Sequence, residues 1–336
     1  MAGLGSEETI TPDEVGVTSG ELPFEFRPGV RESPLLVSFP HVGLDWPGAL
    51  GPRPQVNFPR NADYAIDRLY VRAEALGAAT VRARYSRLVV DLNRAADDVG
   101  EDLVPDHPAP RPKASLSPAN NRLGRAIRNR GVVWSTAVGN IPLVARLSYA
   151  QLSDRLERYY HPYYRAIELL LARRVARFGY AVLLDAHSMP GSVAGDLVLG
   201  TRAGTACGPD LCGAAEAILA GTTTDLRARF GSRWPLSFAV DDPYQGGELV
   251  RHFGRPDQQV HALQLEVSRA VYMDELRCDL YPIPNPRDPH PPRATWSREA
   301  QTQRERRRLA ALVAALDALV LELGRERDEL VVAAAE

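Results

Sequence analysis

The alternation of short apolar runs with long amphipathic segments is the feature that most constrains how this chain folds. Three such runs predict buried strands ending in polar residues: LLVSF (35–39), YAVLLDAHS (180–188) and VHALQLEVS (260–268). Apolar residues recur at helical spacing over 148–178, with an interruption at Pro162, and again over 297–324. Strands interleaved with long helices predict an α/β fold, a three-layer α/β/α sandwich around a mixed, mostly parallel central sheet.

Two segments between the first and second runs also carry a pattern. Residues 61–76 have helical spacing, with Asp63 in the first turn, and predict a helix that ends at Gly77. Residues 79–94 (ATVRARYSRLVVDLNR) contain β-branched runs on both sides of Arg84 and Tyr85, which predicts a strand, a turn and a second strand.

The ends of the chain and one internal segment set the predicted domain organisation. Residues 1–22 are small, acidic and aperiodic, and predict a flexible N-terminal tail. Residues 23–336 are predicted to form a single catalytic domain. Closely spaced prolines within it predict a long loop over 105–121.

Composition excludes several classes of protein. Forty basic and 42 acidic side chains give a net charge of -2, so no summed field attracts nucleic acid or an anionic membrane. Three cysteines are too few for a disulfide scaffold and favour a reducing compartment. The sequence has no run of about 18 uncharged apolar residues. We therefore expect a cytoplasmic protein without a membrane or nucleic-acid partner, and its oligomeric state stays open.

Polar residues that can carry chemistry lie at or near the ends of the predicted strands. They are His41, the pair Asn93 and Arg94, His187, and Glu266. In open α/β sheets, ligands bind beyond the carboxyl ends of the strands. We therefore expect these side chains to meet in one crevice.

Two of these residues suggest a metal site. Two neutral imidazoles and one carboxylate form a common catalytic zinc set that leaves a position for water. His41 and His187 supply the imidazoles, and the carboxylate is either Asp63 or Asp45, four residues after His41. Asp185 is predicted to orient an imidazole from behind, with a strand-end cap as the alternative. The predicted cofactor is Zn²⁺ or another divalent metal.

The remaining polar residues suggest an acidic substrate. Glu266 lies inside an otherwise apolar strand, where burial is costly without compensation, and is predicted to be a general base rather than the partner of a buried arginine. Arginine binds a carboxylate through two parallel charge-assisted hydrogen bonds. Arg87, Asn93, Arg94 and Arg251 therefore predict a site for a small acidic amino-acid derivative.

Eight blocks, taken in order along the chain, resemble the N-formylglutamate amidohydrolase family. They are LLVSFPHVG (35–43), NADYAIDRLY (61–70), YSRLVVDLNRAADD (85–98), GVVW (131–134), YYHPYYRAI (159–167), GYAVLLDAHSMP (179–190), DLVLGTRAG (196–204) and YQGGELVRHFGRPDQQVHALQLEVSRAVYMDE (244–275). Each block alone is modest evidence, but the ordered set is specific.

The resemblance implies a zinc-dependent amide hydrolase, related in fold to zinc carboxypeptidases and aspartoacylases, that acts on an N-formyl acidic amino acid such as N-formyl-L-glutamate. It implies that Arg87 polarises the scissile carbonyl, that Asn93 and Arg94 bind the substrate α-carboxylate, and that Glu266 is the catalytic glutamate. In the related metal sites a glutamate three residues after the first histidine completes the set of ligands. This chain has Leu44 at that position, so the identity of the third metal ligand stays open.

Three alternatives remain at this stage. One is a hydrolase of another N-acyl or N-formimino amino acid, or of a modified peptide, on the same scaffold. Another is a catalytically silent protein that binds an acidic amino acid. The weakest is an RNA-associated module that uses the arginines, which the near-neutral charge and the absence of an aromatic-basic motif disfavour.

Overall fold

The computed structural model describes residues 8–18, 20–100, 102–108, 130–193, 195–230, 236–282 and 299–327. Residues 109–121 of the predicted proline-rich loop lie outside these ranges, as do residues 297 and 298 of the predicted last helix.

Eleven strands are found in the described residues. In chain order they are β1 (Phe24–Arg27), β2 (Leu35–Phe39), β3 (Ala79–Ala83), β4 (Thr136–Ala137), β5 (Ile141–Pro142), β6 (Ala181–Met189), β7 (Leu197–Gly200), β8 (Phe238–Val240), β9 (Val260–Ser268), β10 (Met273–Asp274) and β11 (Asp279–Leu280). Seven of them form the central sheet in the spatial order β1-β3-β2-β6-β9-β7-β8. The four central strands β3, β2, β6 and β9 are parallel, whereas β1 and β7 run antiparallel to their neighbours β3 and β9. The predicted mixed, mostly parallel sheet is confirmed.

Helices cover both faces of this sheet. They are α1 (Phe58–Asn61), α2 (Tyr149–Arg155), α3 (His161–Phe178), α4 (Pro209–Phe230), α5 (Glu248–Phe253), α6 (Arg269–Tyr272) and α7 (Glu299–Leu323). Alternate residues of β2 point to opposite faces: Leu35 and Val37 pack in the core that contains α4 and α7, and Leu36 packs in the core that contains α3. This alternation confirms the three-layer architecture. None of the described helices has the length and apolar content needed to cross a membrane.

The long predicted helices are confirmed with one refinement. Between α2 and α3 the chain forms a wider π-helical turn over Leu156–Tyr160, and Pro162 lies in the first turn of α3. Proline has no N–H to donate to the preceding turn, so a local change in helical winding next to it is expected. In α7 the predicted apolar stripe is buried against the sheet.

Two predicted elements are wrong. Residues 61–76 do not form one helix but a short 3₁₀ helix, Ile66–Tyr70, between turns, because Ala65 has a left-handed backbone (φ 60°). Residues 86–94 are not a strand, since the Asp91 N–H donates to the Val132 carbonyl at 2.7 Å outside the sheet. Both segments are apolar because their side chains are buried. Their backbone conformation, however, is determined by contacts with distant parts of the chain.

The N-terminal segment is more ordered than the predicted tail. Residues 8–18 include a 3₁₀ turn, Asp13–Val15, whose Val15 is fully buried in the core beside α3. Glu8 forms an ion pair with Arg174 of α3 at 3.0 Å. The acidic composition that suggested a loose tail instead complements basic residues of α3.

Candidate active site

The carboxyl ends of the parallel strands meet at one edge of the sheet, as expected. His41 follows β2, and His187 of β6 lies directly beside Glu266 of β9 in the strand register. A cavity of about 1010 Å³ opens at this edge, and His41, Asp63, His187 and Glu266 all line it.

Three buried side chains converge closely enough to hold one metal ion. The candidate ligand atoms of His41, Asp63 and His187 all lie within 4.8 Å of one another. Oδ2 of Asp63 is 2.7 Å from Nδ1 of His187 and 3.4 Å from Nδ1 of His41. All three residues are at most 3% exposed. The two Nδ1 atoms and one carboxylate oxygen form a donor set of the type that binds Zn²⁺.

Each imidazole contacts a second carboxylate through Nε2, the ring nitrogen on the side away from the Nδ1 atom that faces Asp63. Nε2 of His41 lies 2.7 Å from Asp91, and Nε2 of His187 lies 2.7 Å from Asp185. An acceptor at Nε2 keeps the proton there, so that Nδ1 can present a lone pair to a metal. Nδ1 of His41 is buried and has no hydrogen-bond partner among the described residues, as a ligand atom should. The side chains therefore fit a divalent cation.

The charges of this cluster are strongly coupled. Burial alone would raise the pKa of Asp63, but the hydrogen bond with His187 and the nearby imidazole of His41 hold it well below its usual value. Burial alone would lower the pKa of His187, but the negative charge of Asp185 raises it well above its usual value. A cation bound to the Nδ1 atom of His187 would supply positive charge where two carboxylates already favour it.

The structure brings Asp63, and not Asp45, to the imidazoles. The N–H of Asp63 donates to the His41 carbonyl at 2.9 Å, which ties the start of the 61–76 segment to the loop after β2. The Asp45 carboxylate is largely exposed and lies 3.5 Å from Arg84, so the alternative of Asp45 as the third ligand is wrong.

Glu266 is buried beside this cluster. Gln264 donates a hydrogen bond to it at 2.9 Å. Burial raises the pKa of Glu266 to about 7, opposed by the positive charge of His187. A carboxylate with a pKa in this range can both accept and return a proton near neutral pH.

Arg87 lies at the edge of the cluster formed by His41, Asp63 and His187. One terminal nitrogen, Nη2, donates to Asp91 at 2.6 Å, and the other, Nη1, lies 4.0 Å from Asp63. The guanidinium stacks 4.6 Å from the ring centroid of Trp134, whose indole N–H also donates to Asp91. These contacts fix the guanidinium while leaving Nη1 at the cavity.

The other predicted substrate-binding residues also line the cavity, with different partners. Among the described residues, the carboxylate that pairs with Arg94 is that of Asp98, at a distance of 4.0 Å. Arg251 is half exposed and paired with Glu248. Asn93 differs from the expectation, because its amide oxygen already accepts the Leu249 N–H at 2.9 Å.

The amide nitrogen of Asn93 is also occupied. It donates to the side-chain oxygen of Gln264 at 3.3 Å, and it lies 3.0 Å from His187 Nε2, which itself donates to Asp185. Asn93 therefore anchors the start of α5 to the strand ends rather than presenting an unoccupied amide to a substrate.

Sequence reasoning missed two residues that support the cluster. Asp91 binds His41, Arg87 and the Trp134 indole, and Arg87 and His41 hold its pKa well below the usual value against the effect of burial. Arg269 lies 3.7 Å from the outer oxygen of Asp63 and donates to Ser188. A signal for Asp91 was present, since it follows an apolar run as Asp185 does, but the segment was assigned to a strand. Arg269 directly follows the apolar run 260–268, so the same kind of signal was present for it.

Comparisons with known proteins agree with this geometry. The sequence matches the N-formylglutamate amidohydrolase family over residues 33–273. It is 36% identical over 258 residues to an N-formylglutamate deformylase of Pseudomonas aeruginosa, an alignment that covers 72% of this chain and 83% of that protein. An N-formylglutamate deformylase of Pseudomonas putida is 32% identical over 251 residues, covering 72% of this chain and 82% of that protein.

The fold is similar to a solved structure as well. The crystal structure of an N-formylglutamate amidohydrolase from Ralstonia eutropha JMP134 aligns with a TM-score of 0.69 and 26% identity, covering 90% of this chain and 98% of that one. The likeness extends over nearly the whole chain and confirms the fold class.

Proposed function

The chain belongs to the N-formylglutamate amidohydrolase family, and we propose that it hydrolyses N-formyl-L-glutamate to formate and L-glutamate with one divalent metal ion. The observation that carries the metal-dependent reaction is the cluster of His41, Asp63 and His187, in which both Nδ1 atoms face one carboxylate oxygen. The deformylase activity of the curated relatives supports the substrate.

The donor set favours zinc. Two imidazole nitrogens and one carboxylate oxygen are ligands that Zn²⁺ accepts in catalytic sites with an open position. When bound there, the ion would polarise the formyl carbonyl and make water more acidic.

The residues of the chain handle the protons and the charge. Glu266 accepts a proton as the water oxygen adds to the formyl carbon. It then delivers that proton to the glutamate nitrogen as the carbon–nitrogen bond breaks. Arg87 donates from Nη1 to the developing oxyanion, since its other terminal nitrogen is held by Asp91. Arg94 binds the substrate α-carboxylate, and Arg251 lies at the same cavity.

The decisive experiment combines metal analysis with formate release. Protein stripped by a chelator is expected to lose formate release from N-formyl-L-glutamate, and stoichiometric Zn²⁺ is expected to restore it. Glu266→Gln is expected to keep the metal but to lose about 10²–10⁴-fold in kcat. Glu157→Gln, at a carboxylate of the exposed surface, is the matched control and should retain wild-type kcat.

Three outcomes would contradict the proposal. Formate release that survives complete removal of metal would exclude the metal-dependent reaction. Wild-type turnover by Glu266→Gln at full metal content would exclude the base assignment. A preference for N-acetyl or N-formimino glutamate over the N-formyl compound would replace the proposed substrate.

A further inference from the structure

Several arginines of the cavity have no role in the reaction described above, and Arg130 is one of them. Arg130 lines the same cavity as the metal cluster. Its guanidinium stacks 4.7 Å from the ring centroid of Trp134, and Arg87 stacks 4.6 Å from the same ring. A fixed aromatic platform of this kind holds a guanidinium in place without neutralising its charge.

Arg130 differs from Arg87 and Arg251 in its lack of an anionic partner within the described part of the chain. Over the described residues, no carboxylate oxygen lies within 4.0 Å of Arg130, whereas Arg87 and Arg251 have one at 2.6 Å and 2.5 Å. Its Nε is buried and makes no hydrogen bond there either. Arg60 and Arg202 also line the cavity without a carboxylate partner among the described residues. The side chain of Arg60 is exposed and can be hydrated by water, whereas Arg202 donates to the Gly246 carbonyl at 3.1 Å.

The surroundings of Arg130 make its charge costly. Burial and the positive charges of Arg87 and Arg94 lower the pKa of Arg130, and Asp91 opposes them. Asp91, however, is already shared by Arg87, His41 and the Trp134 indole. A partly buried cation in this position is best stabilised by an anion that arrives with a ligand.

We propose that Arg130 binds the side-chain carboxylate of the N-formylated amino acid and thereby selects an acidic side chain. The inference rests on the proposed function, in which the substrate is a dianion and Arg94 holds its α-carboxylate. The second carboxylate then pairs with the guanidinium of Arg130, which has no carboxylate partner among the described residues. Arg130 is a specificity-determining residue rather than a participant in bond cleavage.

The test compares three substrates with the metal-loaded protein. N-formyl-L-glutamate has both carboxylates, N-formyl-L-glutamine lacks the side-chain charge, and N-formyl-L-isoglutamine lacks the α-carboxylate charge. Arg130→Met is expected to lower kcat/KM about 10- to 100-fold for the glutamate and isoglutamine compounds, the loss of one charge-assisted contact. For the glutamine compound we expect less than about a threefold change, and Arg130→Lys should recover part of the loss.

The matched control is Arg53→Met. Arg53 stacks 3.9 Å from the ring centroid of Phe58 without lining the cavity, so its removal should change none of the three values. Equal losses by Arg130→Met on all three substrates would overturn the inference, since they would indicate a structural role. A loss confined to the glutamate and glutamine compounds would move Arg130 to the α-carboxylate and would overturn it as well. If wild-type protein released formate from none of them, the proposed function itself would fail, and this inference with it.

Discussion

At the residue scale, the site is organised by carboxylates that hold both ring nitrogens of each histidine. Asp91 and Asp185 accept at the Nε2 atoms, and Asp63 faces both Nδ1 atoms. The outer carboxylates fix the tautomer and the ring orientation, so that the lone pairs converge before any metal arrives. Burial strengthens these contacts because water does not compete for them.

Removing one outer carboxylate should weaken metal binding without removing a ligand. Asp91→Asn takes the negative charge from His41 Nε2, and an amide at that position can no longer fix the tautomer through a charged acceptor. We expect the dissociation constant for Zn²⁺ to rise about 10- to 100-fold, measured by competition with a chromogenic chelator.

The control for this change is Asp154→Asn, at an exposed carboxylate paired with Arg158 on the protein surface. Its zinc affinity should equal that of the wild type. Unchanged affinity in Asp91→Asn would show that His41 is oriented by packing alone.

At the element scale, α5 is positioned by contacts that also support Glu266. The side-chain oxygen of Gln264 accepts the Gly247 N–H at 2.7 Å, while its amide nitrogen donates to Glu266. The side-chain oxygen of Asn93 accepts the Leu249 N–H, two residues further along the chain. The turn before α5, the segment after β3 and strand β9 are thus joined by two side-chain amides.

A methyl group at position 247 should disturb this connection. A Cβ added at Gly247 would lie 2.3 Å from the amide nitrogen of Asn93, so Asn93 or the turn must move. We expect Gly247→Ala to lower the free energy of unfolding by about 1–3 kcal/mol. Displacement of Gln264 should lower kcat/KM by about 10²-fold. Urea denaturation and steady-state kinetics measure the two effects.

Gly213→Ala provides the contrasting substitution. Gly213 lies in α4 with no atom within 4 Å of the added Cβ. Alanine there should raise the free energy of unfolding by about 0.5–1 kcal/mol and leave kcat/KM unchanged. Wild-type kinetics and stability for Gly247→Ala would mean that the turn yields without cost.

The elements that the sequence predicts well are those whose burial alone determines their conformation. Strands β2, β6 and β9 and helix α7 are apolar on the faces that they bury, so periodicity identifies them. The segments 61–76 and 86–94 are apolar as well, but hydrogen bonds to distant parts of the chain set their backbones. Such contacts have no local pattern.

The same distinction applies to the site. His41, His187 and Glu266 could be predicted because a polar residue at the end of an apolar run is itself a signal. Arg130 reaches the cavity through tertiary packing from outside these runs. Asn93 was predicted to bind the substrate carboxylate. Residue spacing could not show that its side-chain amide already forms hydrogen bonds with the Leu249 N–H and with Gln264.

At the scale of the whole molecule, two cores on opposite faces of the sheet are joined by strands that pass between them. Strand β9 carries Glu266 near its carboxyl end and a second buried polar residue, His261, near its start. His261 accepts the Gly208 N–H at 3.0 Å through Nδ1 and is 3% exposed. The sheet therefore encloses a histidine five residues before Glu266 along β9, so we expect its protonation to affect the stability of the fold.

His261 should make the stability of the protein fall in mild acid. Burial, with the positive charge of Arg327, lowers the pKa of His261 from 6.5 to about 4, so the unfolded chain binds a proton over a range where the folded protein does not. The contribution of His261 to the free energy of unfolding is therefore fully present above pH 6.5 and decreases as the pH falls towards 4. Between pH 7 and pH 5 this loss amounts to about 2 kcal/mol. In His261→Asn the amide oxygen can still accept the Gly208 N–H but does not titrate. The free energy of unfolding of the wild type, measured with urea, should therefore fall by about 2 kcal/mol relative to that of His261→Asn between pH 7 and pH 5. If the difference between the two proteins stays constant over this range, His261 is protonated equally in the folded and unfolded states.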